Sequence, residues 1–206
     1  MSSDLYSKKY NIRLFHCPKC AMTSLRHNLG LEWTKIECMP TNATNIFVYR
    51  DVVDRFVSAY FQIRKTYNKN SIKHFKKHFL RDISEDLLLK IIKKPDLYLQ
   101  EILDNGFWDY HQMPQKHYAN NIHERKINDI DLFLSFKDLS VFFKKLGIDD
   151  SKTINKNSHP KKKEIYNFFK TKHKEINYLY KEDINIVTHE SESKKKTYET
   201  GWNKEW

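Results

Sequence analysis

Residues 11–29 read NIRLFHCPKCAMTSLRHNL, and this stretch decides the fold class. Asn11–His16 alternates apolar and polar residues and then runs into a loop, which is the pattern of a strand. Thr23–Leu29 carries helical signal. Between them lies Cys17-Pro18-Lys19-Cys20-Ala21-Met22-Thr23-Ser24. A strand, a loop bearing a lysine and a helix opening on two hydroxyl residues is the layout of an oxyanion cradle. The first N–H groups of a helix have no intrahelical partner, and the helix dipole favours negative charge there. The Walker pattern GxxxxGK[ST] is not met. The loop has no glycine, and Lys19 precedes the hydroxyl residues by four positions instead of adjoining them.

A second strand-to-helix junction follows. Asn45–Arg50 (NIFVYR) reads as a buried strand, and Asp51–Thr66 places Val53, Phe56, Val57, Tyr60 and Phe61 at helical spacing. Arg50 at the strand end and Ser58, two turns into the helix, can converge on one phosphate, because arginine offers a planar fork of donors. Trp33–Cys38 is a short strand candidate, and Asp131–Phe136 (DLFLSF) reads as a third core strand. Ser84 is an N-cap for a helix through Lys94, and Pro95 opens another to Asp104. Lys137–Leu146 is amphipathic and stops at Gly147. Ser158-His159-Pro160 opens a helix whose apolar positions run from Ile165 to Tyr180.

Strands followed directly by helices predict an α/β fold: a single domain with a mainly parallel central sheet flanked by helices and a P-loop-like loop, with ligands at the carboxyl ends of the strands. Residues 1–188 are expected to form the domain, and 189–206 a charged C-terminal tail or surface strap.

The chain has 206 residues, enough for one domain with a core that needs no disulfide staples. Aromatic residues make up 14%, which argues against global disorder. No apolar run approaches the ~18 residues that cross a bilayer. MSSDLYSKKY lacks the apolar region of a signal peptide, so a soluble, cytoplasmic protein is expected.

The net charge is +11, which asks for an anionic partner. Residues 64–81 hold seven basic residues and no acid, and 152–174 hold eight lysines against Glu164. These two stretches exceed the whole-chain excess, so the rest of the chain is net acidic. Both read equally well as solvated helix faces.

Cys17-x-x-Cys20 has the half-site spacing of a zinc knuckle, but a second such pair is missing, and only Cys38, His16 and His27 could complete four ligands. The two sulfurs read better as small buried packing residues, and no metal is expected.

Taken together, the two junctions are specific. Pro18-Lys19-Cys20-Ala21-Met22-Thr23-Ser24 resembles the PK-x-[GA]-x-T-S loop of sulfotransferases that use 3′-phosphoadenosine 5′-phosphosulfate (PAPS). Arg50-Asp51-x-x-Asp54-Arg55-Phe56-Val57-Ser58-Ala59-Tyr60 resembles that superfamily's R-[DE]-P-x-x-R-x-x-S-x-Y segment, with Val52 in place of the proline. His111-Gln112-Met113-Pro114-Gln115 is similar to the H-x-x-P-Q element of the Golgi carbohydrate sulfotransferases and their bacterial and viral relatives. Leu134–Leu139, Asn157-x-His159 and Ile176–Asp183 follow that branch's C-terminal order. Ala21 replaces a commoner glycine, and the membrane anchor of the Golgi members is not read in this chain.

The resemblance implies that Lys19 and the N–H groups of Cys20, Ala21, Met22, Thr23 and Ser24 hold the 5′-phosphosulfate, and that Arg50 and Ser58 hold the 3′-phosphate. Lys19 would stabilise charge on the leaving phosphate oxygen. His111 is the first candidate for the general base, with His16, His27 and Glu32 as alternatives. His111 reads equally well as a histidine that orders its loop with Gln115. His117 and His159 could also approach the site. Trp108, Tyr110, His111 and Gln115 are the candidate acceptor contacts, since an aromatic rim suits a sugar, although core packing explains the aromatics as well.

The expected partner is a carbohydrate acceptor, of anionic character if the two basic stretches flank the site. Nucleic acid is not expected. The competing readings are a basic nucleic-acid-binding protein with a zinc knuckle and a P-loop kinase of a small molecule.

Overall fold

The computed structural model describes residues 3–67, 79–120, 126–149 and 162–183. They divide into two compact units. One is built from the described parts of Met1–Arg50, Pro114–Asn155 and Glu182–Trp206, the other from those of Asp51–Met113 and Lys156–Lys181.

The first unit carries a five-stranded sheet: β1 (Ser3–Ser7), β2 (Ile12–Phe15), β3 (Glu32–Lys35), β4 (Thr44–Tyr49) and β5 (Leu132–Ser135), in the order β3-β1-β2-β4-β5. β2 and β4 run parallel with Phe15 opposite Phe47, and β4 and β5 run parallel with Tyr49 opposite Ser135. β1 is antiparallel to both its neighbours, with Leu5 opposite Leu14 and Trp33. The sheet is therefore mixed, which corrects the expectation of a mainly parallel one. The antiparallel half rests on β1, whose DLYS core has no apolar run to announce it. Its polar Asp4 is fully buried and takes Arg13 across the hairpin at 2.8 Å. A buried carboxylate persists only when so paired.

The parallel half is where the sequence reads most directly. Ile46, Phe47 and Val48 are all buried, as expected of a central strand covered on both faces. Phe47 meets Phe133 of β5 at 6.1 Å between ring centroids. Helix α1 (Met22–Leu29) lays Leu25 and Leu29 into the core. Trp33–Cys38 is shorter as a strand than expected: β3 ends at Lys35, and a 3₁₀ turn covers Ile36–Cys38.

The second unit is helical. Helix α2 (Val52–Thr66) is capped by Asp51, whose side chain accepts from the Asp54 N–H at 2.9 Å. Helix α3 (Glu85–Ile91) has the expected Ser84 cap on the Leu87 N–H, and α4 (Pro95–Asn105) has proline in its first turn. Within the first unit, α5 (Gln115–Asn120) and α6 (Leu139–Lys145) precede and follow β5. The second unit is completed by α7 (Lys162–Thr171) and α8 (His173–Leu179), separated at Lys172 where one continuous helical stretch was expected.

The helical unit packs around an aromatic cluster. Phe56 lies 5.1 Å from Phe169 and 5.4 Å from Tyr98, and Tyr60 lies 4.8 Å from Tyr98. All are edge-on pairs, the favoured geometry for aromatic quadrupoles. Among the described residues no helix is long and apolar enough to cross a membrane. The tail 189–206, the Ser158–Pro160 helix start and Asn157 lie outside the described residues.

Candidate functional site

In the sheet unit, β2 ends at Phe15 and α1 begins at Met22, so the Cys17–Ala21 loop leaves the carboxyl end of a parallel strand. The Cys20 N–H closes a turn on the Cys17 carbonyl at 3.2 Å. Lys19 (φ 69°) and Ala21 (φ 60°) both adopt the left-handed conformation. Two such non-glycine residues in one five-residue loop are strained, at a cost of roughly 1–2 kcal/mol each. Ala21 is the N-cap of α1 and has no side-chain oxygen with which to cap it. Thr23 is exposed and Ser24 half-buried on that first turn.

Arg50 follows the last residue of β4, the parallel neighbour of β2. Its guanidinium donates to the Lys19 carbonyl at 3.3 Å and lies 4.6 Å from the Phe136 ring centroid. Its Nε is buried with no hydrogen-bond partner among the described residues. The two predicted anion-binding positions, Lys19 and Arg50, are therefore joined directly. Gln115 fixes the junction from behind. Its amide oxygen accepts from the Arg50 N–H at 2.7 Å and from the Cys20 thiol at 3.3 Å, and its nitrogen donates to the Arg50 carbonyl at 2.8 Å. Asp183 supports α5 by accepting from the Lys116 N–H at 2.9 Å.

In the helical unit, His111 lies in a 3₁₀ turn (Tyr110–Gln112) capped by Asp109. Asp109 is fully buried. Its Oδ1 accepts from the His111 backbone N–H and stands 2.8 Å from the His111 Nδ1; its Oδ2 accepts from the Tyr67 hydroxyl. Gln112 holds the turn: its amide oxygen accepts the N–H groups of Trp108 and Asp109 at 2.9 and 2.8 Å, and its nitrogen donates to the Tyr98 hydroxyl. The Tyr180 hydroxyl donates to the Gln112 carbonyl at 2.6 Å, and Arg55, buried, reaches the His111 carbonyl at 3.4 Å. Burial, reinforced by the bond to Asp109 and its charge, pushes the Tyr67 phenol far above its ordinary range. Burial likewise raises Tyr98. Both phenols therefore remain protonated, Tyr67 donating to Asp109 and Tyr98 accepting from Gln112. The His111 side chain is 26% exposed, so its ring reaches solvent while its anchor does not.

The remaining candidates divide between the two units. His16 is half-buried at the end of β2 with its ring edge-on to Trp33 at 5.2 Å. His27, in the last turn of α1, and Glu32 are exposed. Ser58 is half-buried on α2, and Tyr110 half-buried beside His111 at 6.3 Å between rings.

Two acceptor candidates change role. Trp108 is fully buried, edge-on to Phe79 at 5.7 Å, and has no exposed face to offer a sugar. Gln115 is 2% exposed and its amide is committed to the Arg50 backbone, so it positions the loops rather than meeting an acceptor.

Cys17 and Cys20 are buried and in no disulfide, as packing residues would be. Among the described residues no group of three or more His, Cys, Asp or Glu is placed to hold a metal, which leaves the zinc knuckle without a full ligand set there. Of the basic stretches, Lys69, Lys73, Lys76, Lys77, Lys152, Lys156 and Lys161 lie outside the described residues, as do His74, His78, His123, His159 and His189. Arg81 is paired with Glu101 at 2.6 Å.

Asp109 is the residue that sequence reasoning missed. The signal available was an aspartate two residues before His111, at the N-cap position of a short turn, where aspartate is favoured. Comparison of the chain with family models, with curated proteins and with solved structures finds no match in any of the three.

Proposed function

We propose that this chain is a PAPS-dependent sulfotransferase that sulfates a carbohydrate hydroxyl. The observation that carries this reading is the direct link between Lys19, in a strained loop that opens helix α1, and Arg50 at the end of the neighbouring parallel strand. A doubly anionic ligand such as the 5′-phosphosulfate and 3′-phosphate of PAPS matches that placement of amides and guanidinium. The P-loop-like character of the loop belongs to the same proposal.

In the reaction, the acceptor oxygen attacks sulfur and an S–O bond forms. The bond from sulfur to the 5′-phosphate oxygen breaks, and 3′-phosphoadenosine 5′-phosphate (PAP) leaves with the electron pair. Lys19 would stabilise the charge that grows on that phosphate. His111 would take the acceptor's proton. The lysine-rich stretches support an acceptor bearing carboxylate or sulfate groups.

Titration calorimetry with PAP is the direct test. Binding is expected, weakened about tenfold or more in Lys19→Ala and in Arg50→Ala, a loss of about 1.4 kcal/mol or more. Absence of PAP binding, or affinity in both variants unchanged from that of the unaltered protein, overturns the reading.

A further inference from the structure

The geometry points to Asp109, steadied by Tyr67, as the positioning residue that makes His111 a proton acceptor through its Nε2. This rests on the reading of His111 as the base, but it concerns a residue pair that can be examined without any substrate.

The argument starts from donor inventory. A carboxylate only accepts hydrogen bonds, so the 2.8 Å contact between Asp109 Oδ1 and His111 Nδ1 requires the hydrogen on Nδ1. In a neutral imidazole the other nitrogen, Nε2, is then the lone-pair nitrogen. The same Oδ1 accepts the His111 backbone N–H at 2.8 Å, so one oxygen pins both the ring and its own main chain. The second oxygen is fixed by the Tyr67 hydroxyl, and the backbone of Asp109 is fixed by Gln112. The carboxylate therefore has little freedom to rotate away.

A role confined to capping the turn would not require this arrangement. An exposed aspartate caps a turn equally well, and aspartates are rarely fully buried without a charged or hydrogen-bonding partner. Here the carboxylate is fully buried and the imidazole is the partner on the solvent side. When Nε2 gains a proton, the new positive charge forms against a buried, fixed negative one. That lowers the barrier to proton transfer without any reorganisation.

Nitrogen-15 NMR of the His111 ring in the unaltered protein is the first test. The neutral ring is expected to carry hydrogen on Nδ1 and none on Nε2. A ring protonated on Nε2 overturns the inference whatever the activity. Asp109→Asn keeps the shape and an effective cap but removes the charge. It is expected to lower kcat by about a hundredfold or more, with acceptor KM and PAP affinity within about threefold of the unaltered protein. Tyr67→Phe leaves the carboxylate in place and is expected to lower kcat about three- to tenfold, as the loss of one orienting hydrogen bond. An Asp109→Asn protein with unchanged kcat, or with kcat loss matched by lost PAP binding, overturns the role. If Asp109→Asn does not fold, Tyr67→Phe and the ring tautomer decide. A chain that binds no PAP but has Nδ1–H overturns the sulfotransferase reading alone. A chain that binds PAP and has Nε2–H overturns this inference alone.

Discussion

At the end of β4, Arg50 is gripped through its backbone. Gln115 accepts its N–H and donates to its carbonyl, leaving the guanidinium to reach Lys19 and Phe136. At the Asp109 turn of the helical unit the grip is on side chains. A buried carboxylate holds an imidazole, and the phenols of Tyr67, Tyr98 and Tyr180, with the turn's own Gln112 amide, hold the turn. The first region presents main-chain amides and a permanent cation, which suit binding of a fixed anion. The second presents a titratable ring on a rigid anchor, which suits moving a proton. On the proposed function, backbone strain would serve charge recognition and a hydrogen-bonded aromatic core would serve base orientation.

The sharpest way to break this contrast is at Trp108, which lies in that aromatic core between Tyr67, Tyr98 and Phe79. Trp108→Ala is expected to cost about 3–5 kcal/mol of unfolding free energy, the range for deleting a large buried aromatic. Chemical denaturation measures it. Trp108→Phe should recover most of the loss and leave acceptor KM unchanged. A raised KM in a stable Trp108→Phe protein would return Trp108 to the acceptor site and undo the assignment of this core to support alone.

A middle-sized effect is expected at Gln115, because the sheet unit's grip on Arg50 passes through one amide. Gln115→Ala leaves both the N–H and the carbonyl of Arg50 without that partner and should cost about 1–3 kcal/mol. Unlike Trp108, it should also weaken PAP binding, since Arg50 would lose its aim. Gln115→Glu keeps an acceptor for the Arg50 N–H and should fall between the two. If Gln115→Ala lowers stability but PAP affinity stays unchanged, the backbone grip is not what positions Arg50 for ligand.

The sequence exposes these two regions unequally, and the cause is physical. The sheet junctions are legible because strand-loop-helix transitions change hydrophobic period abruptly. The expected strand at Asn45–Arg50 is found at Thr44–Tyr49, and the expected helix at Thr23–Leu29 is Met22–Leu29. β1 was not legible, because an internal hairpin strand built on a buried Asp4–Arg13 pair has no periodic apolar signature. The helical candidate region is legible through His111-Gln112-Met113-Pro114-Gln115 and its aromatic neighbours, but not through its contacts. Its meaning depends on contacts between Tyr67, Tyr98, Asp109 and Tyr180, which lie far apart in the chain. Sequence spacing places Asp109 near His111 but says nothing about the burial that gives the carboxylate its force.

The smallest expected effect separates His111 from its sequence neighbour His117. His111 has a carboxylate on its ring, whereas His117, on α5 two residues after Gln115, is governed mainly by loss of solvent. Burial lowers the His117 pKa from its ordinary value, and the negative charge of Glu182 opposes that shift only in part. The folded pKa therefore lies below the unfolded value of about 6.5. The unfolded chain binds the proton more readily, so this group's contribution to stability is complete above about pH 6.5 and is lost as pH falls through the folded pKa. Melting temperature followed downward from pH 7.5 should decline on the acid side, and His117→Gln should flatten that decline slightly. Glu182→Gln should steepen it, because removing the one favourable charge leaves burial unopposed. A decline that is unaltered in His117→Gln would show that the sheet unit's acid sensitivity lies in other groups, and that solvent exclusion at α5 is weaker than its half-buried histidine indicates.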